Sequence, residues 1–474
     1  MREAVQHSPD VSSSPGATGL LAEFISHVPR RGVPDPVRRV LQTAVVDAVG
    51  CGLFGLTTPA AQIIQEFARE QGGPAQATLW ASAGARVSSA NAALAIGTAI
   101  HAFDFDDHHR AKIHPGAAVL PAVMALGEPR QIDGRTALAA LAAGYEAMSR
   151  VSLAANPNSS RMRGWHLTGT CGTFGAAAAA SVVLGLDAAT TASALGLAGT
   201  QSAGLWAFNA DGAMSKRFHP GRSAQSGIVA ALLAQKGFHG PRQILEATDG
   251  GFLAATSDEV RIEEIARDLG QTWRTEGVCF KPYSCCGSNH SSVDAALRLM
   301  AEHGFRAAQV SRVIVGISRV VERQTGFVYR PTTVLNAQMS LRFNVAVALV
   351  DGQALIAQFT EARVKDPVVC DLASRVEVEI DPEMDAIYPG RYAAIVTIVL
   401  DDGRRFRRRV DDPKGMPENR MTAEDLEAKF LSLVEPGVGK ETAAEVLDAA
   451  TALFESSNIA AFAHQLGALR LRDA

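Results

Sequence analysis

The chain has 474 residues, 47% of them hydrophobic and 20% charged, with a formal net charge of -4. That length exceeds one ordinary core, so two domains are expected and three at most. The slight acidity gives no electrostatic case for nucleic acid or an anionic membrane as partner, and no run approaches the ~18 uninterrupted apolar residues of a membrane span.

Met1–Asp10 lacks the basic-then-apolar pattern of a signal segment, and the Ser-rich stretch that follows reads as a disordered lead-in over residues 1–17. From 18 to about 270 the pattern is helical and rich in alanine. Asp35-Pro-Val-Arg-Arg-Val-Leu carries an Asp cap and an early Pro, followed by apolar residues at helical spacing. Ala90–Ile100 is small and apolar, as in a helix buried on most sides. Further helices are predicted over 136–148 and 177–184, from an Asp187 cap onward, and over 223–236 with a stop at Gly237.

After Gly270 the texture changes. Ser311–Ser318, Arg375–Asp381 and Ala393–Leu400 are strand-like, and Asp401-Asp-Gly turns the last into a hairpin with Arg404–Val410. That arginine-rich strand reads as solvated. Helices are predicted at 291–302 and 341–350 and again from Thr422 onward. The chain is therefore expected to be mainly α. A large all-helical domain (18–270 plus 411–474) would carry a smaller inserted α+β lid domain (271–410), and a cleft between them is a preferred ligand site.

Four segments carry the chemistry. His101-Ala-Phe-Asp-Phe-Asp-Asp-His-His and His114-Pro-Gly gather carboxylates and imidazoles at the end of a buried helix, where pKa values shift. On residues alone this cluster admits a metal site, an acid/base site or polar packing; a His-Glu-x-x-His motif is missing. Gly164-Trp-His-Leu-Thr-Gly-Thr reads as a glycine-rich turn opening a helix whose N-terminus favours an anion. Lys216, Arg217 and His219 read as a basic loop suited to clamp a carboxylate or phosphate. Lys281, Tyr283 and His290 fall near the domain junction, beside Cys285-Cys286. None of the six cysteines forms a C-x-x-C pair, and such scattered thiols point to a reducing cytoplasm.

Taken in order, these segments resemble the MmgE/PrpD family of 2-methylcitrate dehydratases, cis-aconitate decarboxylases and iminodisuccinate epimerases. The resemblance runs through Lys216-Arg-Phe-His-Pro-Gly, Gly237-Phe-His-Gly-Pro, Lys281-Pro-Tyr-Ser-Cys-Cys and Ala337-Gln-Met-Ser-Leu. It implies a helical domain with an α/β lid, a homodimer, and catalysis without metal or organic cofactor. It also implies a pocket lined by Asp104, His114, His166, Lys216 and Lys281. Two positions depart from the family pattern: His108 replaces a frequent threonine, and Phe343 a frequent tyrosine.

The reaction implied is a lyase step on a small di- or tricarboxylate, with dehydration placed first and decarboxylation or epimerisation as alternatives. Lys216 and Lys281 would bind the developing enolate-type charge. His114 would move the proton, His166 would serve as partner acid or substrate binder, and Asp104 would orient a histidine. Thr168, Arg217, Tyr283, His290 and His108 are expected to bind substrate. Asp106, Asp107, His101 and His109 are assigned to helix-end and supporting roles. Rival classes are a metal-dependent hydrolase and a non-catalytic carboxylate-binding protein.

Overall fold

The computed structural model describes residues 15–472. The expected lead-in falls mostly on residues 1–14, outside that range, and the first helix, Ala17–Arg31, opens within its last residue.

Local chemistry explains most helix starts. The Asp133 and Asp187 carboxylates accept the backbone N–H of Thr136 and Thr190, capping helices Gly134–Ala154 and Ala188–Gly199. Asp35 is the first residue of helix Asp35–Gly55 rather than its cap, and Pro34 stands before it. Two expected loops are helical. The helix read from residue 223 begins at Ser215 and runs to Gln235, so Lys216, Arg217 and His219 ride its opening turns. Leu167–Val183 is likewise one helix, and His166 occupies its cap position.

Small residues set the spacing of these helices. A Cβ on Gly221 would stand 2.3 Å from the Leu94 carbonyl oxygen, and one on Gly97 2.7 Å from the Gly221 Cα. Helices Ser89–Ile100 and Ser215–Gln235 therefore touch backbone to backbone, which brings Lys216 onto the residues that follow Ile100.

Apolar burial gathers in two main clusters. The larger draws on residues from Leu21 to Phe280 and returns at Phe430–Leu469. The second lies wholly between Cys285 and Val410. It centres on a four-stranded sheet in the order Val376–Ile380, Val310–Ile317, Ala394–Leu400, Arg405–Val410. The first pair is parallel, with Val315 opposite Val378, and the other two are antiparallel. Val313, Val315 and Ile317 alternate onto the buried face, the period of two that a half-covered sheet demands. Arg405, Arg407 and Arg409 point outward, as the solvated-strand reading requires. Helices His290–His303 and Leu341–Asp351 belong to this cluster. No single described helix is long and apolar enough to cross a membrane.

A short antiparallel ribbon links the clusters, pairing His108 with Cys279 and His109 with Val278. It ties the acidic-histidine loop to the strand that leads to Lys281. The loop is held from behind by Lys429, whose Nζ donates to the Asp47 carboxylate at 2.6 Å and the Phe105 carbonyl at 2.7 Å.

Gly221→Ala inserts a methyl group where no room exists. We expect a stability loss of about 1–3 kcal/mol in urea unfolding, with a parallel loss of activity. An unchanged midpoint would show that the two helices part freely.

Candidate active site

A narrow pocket opens where the two clusters meet. Asp104, His108, His114, His166, Trp206 and Lys216 line one side; Cys286, Gly287, Gln324 and Tyr392 line the other. The site builds outward from Asp104. This residue follows helix Ser89–Ile100 with φ of 56°, a left-handed conformation unusual outside glycine. Its Oδ1 accepts from Lys281 Nζ at 2.6 Å and from Lys216 Nζ at 3.0 Å. Lys281 also donates to the Asp104 carbonyl at 2.8 Å. All three side chains are buried. Burial alone would push the Asp104 carboxyl up, but the two ammonium groups outweigh it and hold it well below the usual carboxylate range. Burial lowers Lys216 and Lys281 in turn, and the Asp104 charge opposes it; Lys216 ends below its ordinary value and Lys281 above.

Asp104 was expected to orient a histidine, and the structure gives that task to Asp106. The Asp106 carboxylate lies 2.8 Å from His101 Nδ1 and 3.4 Å from His114 Nδ1. His101 Nε2 meets Lys216 Nζ at 2.9 Å. An ammonium can only donate, so His101 Nε2 accepts and its Nδ1 carries the proton. Burial, reinforced by Lys216, brings His101 down to about 3 against the pull of Asp106. His101 and Asp106, read from sequence as supporting residues, thus sit at the centre of the cluster. Asp107 stands behind the pocket, whereas His109, also read as a supporting residue, lines it. Asp107 accepts the Gly116 N–H and the Tyr145 hydroxyl, and His109 Nε2 meets the Arg274 carbonyl.

His114 stands at the cap of helix Pro115–Gly127. Its Nδ1 donates to the Asp107 carbonyl at 2.8 Å, which leaves Nε2 as an acceptor free to exchange a proton. His166 caps a second helix, and its Nδ1 lies 2.8 Å from His219 Nδ1. Two helix N-termini, each with positive dipole ends, thus open on the pocket. His108 is buried, and no hydrogen bond to its ring is found among the described residues. Burial, with Lys281 next, holds His108 well below its ordinary range.

Four expected substrate binders stand one step back. Thr168 Oγ1 accepts the His114 backbone N–H at 3.2 Å. Arg217 donates to Gln338 at 2.8 Å, and Gln338 in turn donates to the Phe103 and Ser284 carbonyls. Tyr283 donates to Asp294 at 3.1 Å. His290 donates to the Cys285 carbonyl at 3.2 Å and packs edge-on against His108. None of the four lines the pocket. Sequence reasoning passed over Lys112, Trp206, Gln324 and Tyr392, which do. Lys112 was within reach, two residues before His114; the others belong to no motif.

The ligand atoms of His101, Asp104, Asp106 and His114 all lie within 4.8 Å of one another, a spacing that suits a metal ion. A cation there would face the ammonium groups of Lys216 and Lys281, which already occupy Asp104. The two ammonium groups therefore disfavour a cation at this position.

Fold and site together define an enzyme built around a buried Lys–Asp–Lys centre with histidines poised for proton transfer. The MmgE/PrpD N-terminal domain model matches residues 19–265 and the C-terminal domain model residues 283–453. The chain belongs to the MmgE/PrpD family, and it is a lyase of that type. A Homo sapiens cis-aconitate decarboxylase is 32% identical to it over 87% of this chain and 86% of its own length. An Aspergillus terreus cis-aconitate decarboxylase is 28% identical over 87% and 88%. The cis-aconitate decarboxylase-like protein oryM of Aspergillus oryzae is 28% identical over 95% and 97%.

Seven buried or half-buried histidines of this region bind protons less readily than the ordinary 6.5, among them His101 and His290 at about 3 and His109 at about 4. Below pH 6.5 the unfolded chain takes up protons that these rings refuse. Stability is therefore complete above 6.5 and is lost as pH falls toward 4, by on the order of 1 kcal/mol per pH unit for each fully buried ring. Asp47 and Asp107, raised by burial, work the other way, but they are two against seven. Calorimetry at pH 7, 6 and 5 is expected to show Tm falling at each step; a flat profile would contradict the neutral, buried state of the rings.

Proposed function

We propose that this lyase acts on a small polycarboxylate of the cis-aconitate class, with decarboxylation as its reaction. The observation that carries the proposal is that Lys216 and the free Nε2 of His114 line one pocket, with Lys281 held behind Lys216 on the same buried carboxylate, Asp104. The names of the relatives favour decarboxylation over the dehydration that the sequence placed first.

The chemistry needs few groups. Cis-aconitate carries a departing carboxylate one carbon from a double bond. When that C–C bond breaks, CO2 leaves and its electron pair passes through the double bond into the remaining conjugated carboxylate. The charge comes to rest on oxygens beside Lys216 and Lys281, which are fixed before the reaction and need no reorganisation. A C–H bond then forms at the conjugated carbon, with the proton from His114 Nε2. Burial first, and then the lysine charges, lower His114 in the empty pocket. The carboxylates of the substrate restore its affinity for that proton, so binding and protonation are coupled. His166, with His219 behind it, holds substrate. In this reading the α+β part closes the pocket as a lid, the two ammonium groups supply the positive charge of catalysis, and the chain works as a cytoplasmic homodimer.

The test combines binding with product identity. A thermal-shift screen of cis-aconitate, 2-methylcitrate and aspartate-derived acids is expected to single out the first, since a ligand of the native state raises Tm. NMR of the product then separates loss of CO2 from loss of water. His114→Asn and Lys281→Met should each lower kcat by about 100-fold or more, with the circular dichroism of the wild type. Normal turnover in either variant would remove the assignment. Stoichiometric metal in the purified protein, with activity lost on chelation, would favour the hydrolase instead.

A further inference from the structure

The centre described so far is electrically balanced. Among the groups paired there, Asp104 and Asp106 carry two negative charges, Lys216 and Lys281 two positive ones, and the histidines around them are neutral, while the buried Arg217 is turned away from the pocket to Gln338. A substrate with two or three carboxylates would meet no net positive charge there. Burying that much anion without compensation is unfavourable. Further positive charge is needed, and another residue of the same pocket lining supplies it.

Lys112 lines the pocket, half-buried, from the loop between the His108–His109 strand and His114. Its φ is 59°, so like Asp104 it holds a left-handed conformation that costs a lysine about 1 kcal/mol. Its ammonium lies 4.8 Å from the ring centre of Tyr388 and 5.4 Å from that of Tyr392. It donates to the Tyr388 hydroxyl and, at 3.4 Å, to Gln324 Oε1. An ammonium has three donors, so one remains. Among the described residues no carboxylate forms an ion pair with Lys112 or with Arg161.

Arg161 is 7% exposed and stands behind the pocket wall, with its guanidinium 3.9 Å above the Trp206 ring. Its Nε is buried without a hydrogen-bond partner. Trp206 lines the pocket and packs edge-on against His166. Two cations without carboxylate partners thus sit on and behind one wall of a pocket whose centre is neutral.

We propose that Lys112, backed by Arg161 and flanked by the Tyr388 hydroxyl and Gln324, is a second anion subsite. It takes the branching third carboxylate of a cis-aconitate-like acid, and so selects tricarboxylates over dicarboxylates. The inference rests on the proposed polycarboxylate substrate. Burial, with the like charge of Arg161 adding to it, draws Lys112 down to about 7. A bound carboxylate holds it charged. Lys112 is thereby a specificity residue rather than a proton donor in the reaction.

The experiment compares wild type, Lys112→Met and Lys112→Arg with two probes, cis-aconitate and glutaconate, which lacks the third carboxylate. Calorimetry gives Kd and steady-state rates give KM and kcat. For cis-aconitate, Lys112→Met is expected to raise Kd and KM by about 10- to 100-fold, the scale of one charge-assisted contact, with kcat changed less than about threefold. Lys112→Arg should recover most of the affinity, and glutaconate should bind wild type and Lys112→Met alike. The thermal transition of Lys112→Met reports its folding independently. Unchanged cis-aconitate affinity in Lys112→Met, or a loss confined to kcat, would overturn the subsite and leave the proposed function standing. A wild-type protein that binds neither acid would overturn both.

Discussion

The organisation of this enzyme depends on two ammonium groups sharing one carboxylate oxygen. Burying any one of the three charges alone would cost several kcal/mol, and removing one partner strands the others. The trio therefore acts as a unit, and its members come from three places. Asp104 ends the loop after Ser89–Ile100, Lys216 rides the first turn of Ser215–Gln235, and Lys281 follows the strand Val278–Cys279. Lys281 also lies at the chain's passage between the two apolar clusters, one reaching Phe280 and the other starting at Cys285. The charge that serves the reaction is thus placed at the junction that the fold must form anyway.

Around that unit the polar groups are arranged so that the histidines stay neutral. Lys216 forces His101 Nε2 to accept, Asp106 receives its Nδ1 proton, and the Asp107 carbonyl takes that of His114. Each tautomer follows from a neighbour that can only donate or only accept. An empty pocket of this kind resists protonation, and an anion entering it reverses the balance. Under the proposed function, proton transfer would follow binding rather than the pH of the solvent.

Much of this was legible in the sequence where the signals were local. The cap at Asp187, the hairpin after Leu400 and the change of texture past residue 270 rest on neighbours in the chain. The five residues Asp104, His114, His166, Lys216 and Lys281 do converge, and four of them line the pocket directly. Sequence proximity misled where side chains diverge. Tyr283 is two residues from Lys281 yet turns to Asp294, and Arg217 turns from its neighbour Lys216 to Gln338. Asp104 and Asp106 look equivalent as a pair, and only the positive φ of the first decides which meets the lysines. The Gly-rich and basic segments read as loops because glycine and proline are poor helix formers. Tertiary packing overrides that preference where the helix backbones touch at Gly97 and Gly221. Gln324 and Tyr392 come from more than 200 residues past Asp104 in sequence and bear no motif.

The two departures from the family pattern have different consequences. Phe343 is fully buried in the second cluster, against Tyr329 and Phe359, and does not line the pocket. A hydroxyl there would need a partner within an apolar core, so phenylalanine is the better fit. His108 lies on the pocket wall with its ring unclaimed by the described residues. It fits because residue 287 is glycine: a Cβ there would stand 3.1 Å from the ring's Cε1. The His108 imidazole packs between the rings of His114 and His290 and offers a nitrogen farther from the backbone than a threonine hydroxyl.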